Sequence, residues 1–319
     1  MKSSVLGQDE LRALESAFGE QLQRQVPLAR FTSSRIGGPA DYLLAVRSKD
    51  ELAEAAEALW RIGVPYRVLG GGSNALVADA GYRGVIVLNQ ARAVRFLDEG
   101  ESGVWAESGA SFGSLGRRAV ARGLGGLTWA ATVPGTVGGA VVGNAGAHGG
   151  DTAGCLKLAE ILQQGEGVQQ WTPERLQFGY RTSWLKEHPG QRVVLSATFS
   201  LTPTDPNQLA TEMETYVEHR RTTQPPGASW GSMFKNPPGD HAGRLIEATG
   251  LKGLRRGGAE VSQLHANFFV NTGEATAADA WALLTEVRRR VEERHGVVLE
   301  LEIECLGQWD DPTTTGADG

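Results

Sequence analysis

The residues able to do chemistry fall in a few short stretches. Two are rich in glycine: Leu69–Asn74 (LGGGSN) and Val133–Gly150 (VPGTVGGAVVGNAGAHGG), the second with seven glycines in eighteen residues. Glycine at that density weakens helix and strand alike, so it points to backbone lying close to something flat or phosphorylated. Consecutive glycines after a strand can turn their N–H groups inward as an anion nest, and Ser73 and Asn74 add side-chain donors, so a diphosphate is the natural guest. In the second stretch Pro134–Gly135 makes a turn, Gly138–Gly139 let a helix start pack close to a ligand, and Asn144 can offer an amide to a ring edge or a phosphate. There is no GxGxxG followed by a distant acid and no GxxxxGK[ST], which excludes the two commonest phosphate motifs. Alone, LGGGSN reads slightly better as a tight turn. The two stretches together tip the reading toward one large cofactor.

Charged and hydroxyl candidates are sparser. Arg181 in YRTS can grip a carboxylate bidentately, although on residue type alone it is a surface arginine. Ser232 in GSMFKNP sits in a loop of turn formers, where a lone serine is usually a turn residue. Glu300, Glu302 and Glu304 alternate with apolar residues in LELEIECLG and read as a solvated face. His148 can titrate near neutrality, but a lone loop histidine more often does not act. The histidines show no metal-ligand spacing, so no metal is expected.

The elements that must position these residues follow from local patterns. The chain has 319 residues and a formal net charge of −6, with no basic run able to track nucleic acid. No stretch approaches ~18 consecutive apolar residues, and no signal-peptide core is present. The two cysteines, Cys155 and Cys305, form no CxxC and are expected to be free thiols of a cytoplasmic protein. Asp41–Val46, Tyr66–Leu69, Gly84–Leu88 and Val104–Glu107 read as strands. Ser48 with Glu51 opens a helix to Ile62, buried through Leu52, Ala55, Ala56 and Leu59. Leu158–Gln163 and Val168–Trp171 flank a hairpin turn, and Arg192–Leu201 is the longest strand candidate. TPTDPN (202–207) marks the best domain boundary. Helices are expected over 207–221, Ala242–Thr249 and from Thr276 to Gly296, and a closing strand over Val297–Leu306.

The pair LGGGSN and PGTVGGAVVGNAGAHG resembles the UDP-N-acetylenolpyruvoylglucosamine reductase family. The resemblance continues through RIGGPADYL (35–43), YRTS (180–183), GSMFKNP (231–237), AGRLIEATG (242–250), GGAEVS (257–262) and HANFFVN (265–271), covering about residues 28 to 307 in order. It implies an α+β chain. An FAD-binding domain of the vanillyl-alcohol-oxidase type would occupy 1–204, in lobes of about 28–90 and 91–204. A smaller α+β substrate-binding domain would span 205–308, with a disordered tail over 309–319. The short distance from YRTS to GSMFKNP resembles the compact class of the family, without a substrate-capping insertion.

The resemblance implies reduction of UDP-N-acetyl-3-O-(1-carboxyvinyl)-glucosamine to UDP-N-acetylmuramate for peptidoglycan, with FAD as cofactor and NADPH as hydride donor. Arg181 would hold the carboxylate, Ser232 would give the proton, and Glu302 would be the catalytic carboxylate. Leu69, Gly70, Gly71, Gly72, Ser73, Asn74, Pro134, Gly135, Thr136, Gly138, Gly139, Asn144 and Ala145 would hold FAD. Lys235, Asn236 and Arg244 would hold the UDP-sugar. A monomer is expected, without nucleic-acid or membrane partners. Three positions depart from the family: Glu304 replaces a basic residue, Gly143 a methionine and His148 a tyrosine. The rival readings are a flavin oxidase of the same superfamily, acting on another sugar or alcohol, and a non-catalytic UDP-sugar binder.

Overall fold

From Pro39 onward apolar runs form the strands and capped segments form the helices that interrupt them. The computed structural model describes residues 6–97 and 102–309. The expected disordered tail lies outside the described residues from position 310, whereas Trp309 packs on Trp281 with ring centroids 4.9 Å apart. The first sheet has four strands in the order Leu22–Pro27, Pro39–Val46, Tyr82–Asn89, Tyr66–Leu69. The last three run parallel, joined by the helix Lys49–Ile62, which Ser48 caps by accepting from the Glu51 amide. Leu44, Val85 and Val87 face that helix, while Leu43, Ile86 and Leu88 fill a second core on the opposite face. Burial on both faces explains why these strands read as unbroken apolar runs.

The second sheet is antiparallel: Gly167–Trp171, Leu156–Gln163, Arg192–Ser200, Gly103–Glu107, Val94–Phe96. Leu162, Val193 and Leu195 on one face join the cluster around helix 49–62, so that helix is sandwiched between two sheets. The other face carries Phe112, Trp129 and Phe199, with ring centroids 5.5 and 5.7 Å from Phe112. The helix Val137–Gly143, inside the second glycine-rich stretch, packs on the strand Arg192–Ser200. The helix Pro206–Thr223 leaves the second sheet and lies against Thr128–Thr132 and the helix Phe112–Val120.

A third sheet, in the order Ser229–Ser232, Phe268–Asn271, Ala259–Val261, Arg255–Arg256, supports the helices Ala242–Ala248 and Ala277–His295 around Trp230, Phe234, Phe269 and Leu284. Thr276 and Asp279 form the capping box of the long helix. Asp79 reaches over from the first sheet's side and accepts from the amides of Ala277 and Ala278 at 2.8 and 2.9 Å.

The closing strand is the element the structure corrects. Only Glu304–Leu306 forms a ladder, parallel to Ala75–Val77. Upstream the segment pairs elsewhere: the Lys235 amide donates to Glu300 O and the Glu302 amide to Met233 O, whereas the Glu304 amide donates to Asn74 O. Glu300 and Glu304 are exposed as a solvated face requires, but Glu302 turns into the protein, and the backbone changes partner between Glu302 and Glu304, so no single ladder can run through the segment.

Candidate active site

The two glycine-rich stretches meet. A Cβ on Gly70 would collide with Thr136 Oγ1, and one on Gly71 would stand 3.2 Å from Gly135 Cα. Gly72 has φ +57° and lies so close to Phe31 O that no side chain fits there. LGGGSN is therefore wedged between the PGT turn and the Phe31–Ser33 backbone, whose Ser33 amide donates to Gly72 O. Part of the glycine requirement is loop-on-loop contact within the protein. In the helix that follows, Gly138 packs against the protein, where a Cβ would stand 3.0 Å from Ser108 Cβ, so this glycine serves internal packing rather than a ligand. The next face is different. A Cβ on Gly139 would meet only Thr136 Oγ1, at 3.7 Å, and one on Gly143 would meet nothing within 4 Å. That open face beside the joined loops leaves room for a flat ring system, and backbone with no Cβ can approach it closely. These residues fit a dinucleotide such as FAD.

Asn144 ends the helix at φ +43° and spends its amide inside the protein. It donates to Asp151 Oδ2 and Gly179 O at 3.2 and 2.9 Å and accepts from the Ala153 amide at 3.0 Å. Ala145 O accepts from Thr152. Asn74 likewise donates to Glu302 O at 3.0 Å. His148 turns toward the helix Pro206–Thr223. It stacks on Tyr216 at 4.2 Å and meets His219 edge-on, and burial lowers its pKa, helped by His219 and Arg220.

The YRTS turn is held against the helix Val137–Gly143. Ser183 is buried, donates from Oγ to Val142 O at 2.6 Å and caps the short helix Trp184–Glu187. Gly179 and Thr182 close the turn, which forces Arg181 to φ +58°, an uncommon place for a residue with a side chain. From there Arg181 Nε donates to Glu302 Oε1 at 2.9 Å and Nη2 donates to Gly146 O at 2.7 Å. One arginine thus ties the second glycine-rich loop to the final segment. Burial raises the Glu302 pKa above the usual carboxylate range, against the opposing pull of Arg181, Lys186 and Lys235. A half-buried carboxyl with a perturbed pKa, paired with a guanidinium in a cavity, marks a candidate functional site.

Ser232 ends its strand opposite Phe268, in the same cavity. That cavity, of about 370 Å³, is lined by Tyr180, Arg181, Ser232, Asn236, Arg244 and Glu302, among others. The three residues expected to be catalytic therefore converge from separate parts of the chain. Asn236 Oδ1 caps the helix Ala242–Ala248 by accepting from the Ala242 amide at 3.0 Å, and the Asn236 backbone N–H donates to the Tyr180 hydroxyl. Lys235 Nζ donates to Glu300 Oε2 at 3.3 Å. Arg244 is exposed and held by both oxygens of Asp240, a pairing that depresses the Asp240 pKa.

Two residues without a role in the sequence reading matter to this geometry. Tyr180 is 54 % exposed at the cavity, with the Arg181 guanidinium over its ring. Buried Asn267 clamps the backbone of Phe234: Oδ1 accepts from its amide at 3.0 Å and Nδ2 donates to its carbonyl at 2.8 Å. Tyr180 precedes Arg181 in YRTS and Asn267 lies in HANFFVN, so both fall in noted motifs, but nothing local assigns either a partner.

Residues 222–306 match the family model for the UDP-N-acetylenolpyruvoylglucosamine reductase C-terminal domain, and residues 40–169 match that for an FAD binding domain. The chain is similar to the UDP-N-acetylenolpyruvoylglucosamine reductase of Rubrobacter xylanophilus, at 48 % identity over 88 % of this chain and 94 % of the relative. A second such reductase, from Symbiobacterium thermophilum, is 43 % identical over 92 % of this chain and 95 % of its own. Among solved structures, the UDP-N-acetylenolpyruvylglucosamine reductase of Thermus caldophilus superposes with a TM-score of 0.77 at 36 % identity, over 90 % of this chain and all of that one.

Proposed function

The chain belongs to the UDP-N-acetylenolpyruvoylglucosamine reductase family, and from that premise we propose that it reduces the enolpyruvyl ether of a UDP-N-acetylglucosamine to the lactyl ether of UDP-N-acetylmuramate. The observation that carries the reading is the convergence of Arg181, Ser232 and Glu302 in one cavity beside the joined glycine-rich loops. FAD, held by the joined glycine-rich loops and reduced by NADPH, would supply the hydride that the outer carbon of the substrate's double bond needs. One proton from the protein completes the reaction, so the double bond gains two hydrogens while NADPH becomes NADP⁺.

The protein's residues divide the remaining work. The Arg181 guanidinium offers paired N–H donors to the substrate carboxylate and offsets the charge that gathers as the double bond is attacked. The Ser232 hydroxyl gives its proton to the inner carbon, and a neighbouring cation stabilises the oxygen left behind. Glu302 accepts from Arg181 Nε and so holds the guanidinium in place at the edge of the cavity. Lys235, Asn236 and Arg244 line the way for the UDP portion. Arg244 must leave Asp240 to reach a phosphate. The glycine-rich loops 69–74 and 134–139 hold FAD. The reaction belongs to peptidoglycan precursor supply in the cytoplasm, and through it to cell-wall growth and division, carried out by a monomer.

The test is an anaerobic assay of the FAD-loaded protein with NADPH, with and without the enolpyruvyl UDP-sugar. NADPH oxidation stoichiometric with reduced product supports the reading. A protein that holds no flavin after reconstitution, or oxidises NADPH at a rate the substrate does not change, overturns it. Ser232→Ala with an undiminished rate of substrate reduction would remove Ser232 from its role while leaving the fold intact.

A further inference from the structure

Lys186 is a half-buried cation that the scheme above does not use. It lies five positions after Arg181, in the short helix Trp184–Glu187 that Ser183 caps. Its Nζ donates to the carbonyl oxygen of Arg181 at 3.1 Å. That carbonyl belongs to the residue held at φ +58°, a conformation that persists only where its surroundings hold it. The Arg181 side chain leaves the same residue to reach Glu302 and Gly146 O. Lys186 therefore holds the backbone end of the residue whose guanidinium joins the cofactor loop to the carboxylate.

The charges around it fit this position. Along the final segment, Glu300 is paired with Lys235 and Glu302 with Arg181. Glu304 is the strongest attraction acting on Lys186, with Glu302 a further one, while Lys235 and Arg181 repel it. Burial outweighs these and lowers the Lys186 pKa. The same burial acts on Glu302, whose ionised form Lys186 favours together with Arg181 and Lys235.

We propose that Lys186 is a positioning residue for the reaction: through the Arg181 carbonyl it holds the strained turn that aims the guanidinium, and it adds a positive charge beside the Arg181–Glu302 pair. The proposal rests on the reading that Arg181 and Glu302 serve the reduction. It adds a residue that acts through them.

The experiment compares FAD-loaded wild type, Lys186→Gln and Lys186→Arg in the NADPH-dependent reduction across pH. Glutamine keeps a hydrogen-bond donor but loses the charge. In Lys186→Gln, kcat should fall by about 10–100-fold, the scale of a small misplacement of a group that orients substrate. KM for the UDP-sugar should change far less, because the UDP contacts lie elsewhere. The acid limb of the pH profile should move to higher pH, since losing a nearby cation raises a carboxylate's pKa. Lys186→Arg should restore kcat to within about threefold and return the limb to its place, as it keeps both charge and donor.

A folded Lys186→Gln with wild-type kcat and an unmoved acid limb overturns the proposal. If Lys186→Gln does not fold, the arginine variant carries the test, and a folded Lys186→Arg with kcat more than tenfold down overturns it. Wild type inactive toward the UDP-sugar would instead overturn the proposed function. An active wild type, with Arg181→Lys impaired and Lys186→Gln unchanged, would overturn only the role of Lys186.

Discussion

Asn267→Ala tests how the proton donor is held. Asn267 is 4 % exposed and Phe234 fully buried, and the amide side chain bonds both the N–H and the C=O of Phe234. The flanking peptide groups are committed elsewhere: Met233 N–H to Asn267 O, Met233 O to the Glu302 amide, and Lys235 N–H to Glu300 O. Alanine would strand a donor and an acceptor away from water. At about 1–3 kcal/mol for each buried polar group left unpaired, the loss should be about 2–6 kcal/mol. At roughly 2–4 °C per kcal/mol, calorimetry of the FAD-loaded protein should show a melting point lower by about 4–24 °C. Ser232 lies two residues from Phe234 in the same loop, so kcat should fall beyond what the melt explains at the assay temperature. Asn267→Asp separates the two bonds. It keeps the acceptor for Phe234 N–H but sets an oxygen against Phe234 O, so it should be at least as damaging at neutral pH and should recover when acid protonates the new carboxyl. A folded Asn267→Ala that loses less than about 1 kcal/mol, with kcat unchanged, would refute the claim that this clamp sets the loop.

Further outcomes follow from other features. Burial raises the Glu302 pKa in the folded chain, so the stability linked to its proton is full below the unfolded value and is lost as pH rises through the folded one. Glutamine has no such proton to lose. The melting difference between Glu302→Gln and wild type should therefore shift in favour of the variant from pH 4 to pH 7, and a shift in the other direction would contradict the assigned burial. Gly72→Ala places a Cβ on Phe31 O at φ +57°, which should cost at least about 2 kcal/mol and abolish retention of FAD, read as loss of the visible flavin band after gel filtration. Asp79→Ala removes two hydrogen bonds at the start of the helix Ala277–His295 while the Thr276 cap remains, so urea unfolding should show a loss of about 1 kcal/mol with normal turnover by the folded protein.

What the sequence could reveal depended on how far each signal reaches along the chain. The helix Lys49–Ile62 was legible because its cap, its buried stripe of Leu52, Ala55, Ala56 and Leu59, and its left-handed Gly63 lie within sixteen residues. The strands of the first two sheets were legible because burial on one or both faces leaves apolar runs. The Arg181–Glu302 contact was not, since its partners are 121 residues apart and each looks locally like an exposed charge. Alternation in LELEIECLG put all three glutamates on a solvated face, and it revealed neither that Glu302 turns into the cavity nor that the backbone changes partner at Glu302–Glu304. Asn144 and Asn74 show the same limit. An amide beside glycine invites a ligand, and only the fold shows that these two are engaged with Gly179, Asp151 and Glu302 O. Lys186 carried no signal, because the feature that sets it apart is a backbone carbonyl rather than a sequence pattern.

The parallel pairing of Glu304–Leu306 with Ala75–Val77 also has a consequence in time. Asn74 and Glu302 are joined by a hydrogen bond although 228 positions separate them. At roughly 5–20 residues per second, a ribosome that has made the first glycine-rich loop needs on the order of ten to fifty seconds to deliver its partner. During that interval the edge Ala75–Val77 has no final strand and the loop lacks the carbonyl that anchors Asn74. The first sheet can assemble early, but the cavity cannot close until nearly the whole described chain has emerged. A nascent chain stalled before residue 302 would present glycine-rich loops without the carboxylate that Arg181 awaits, so the complete site exists only once that residue is in place.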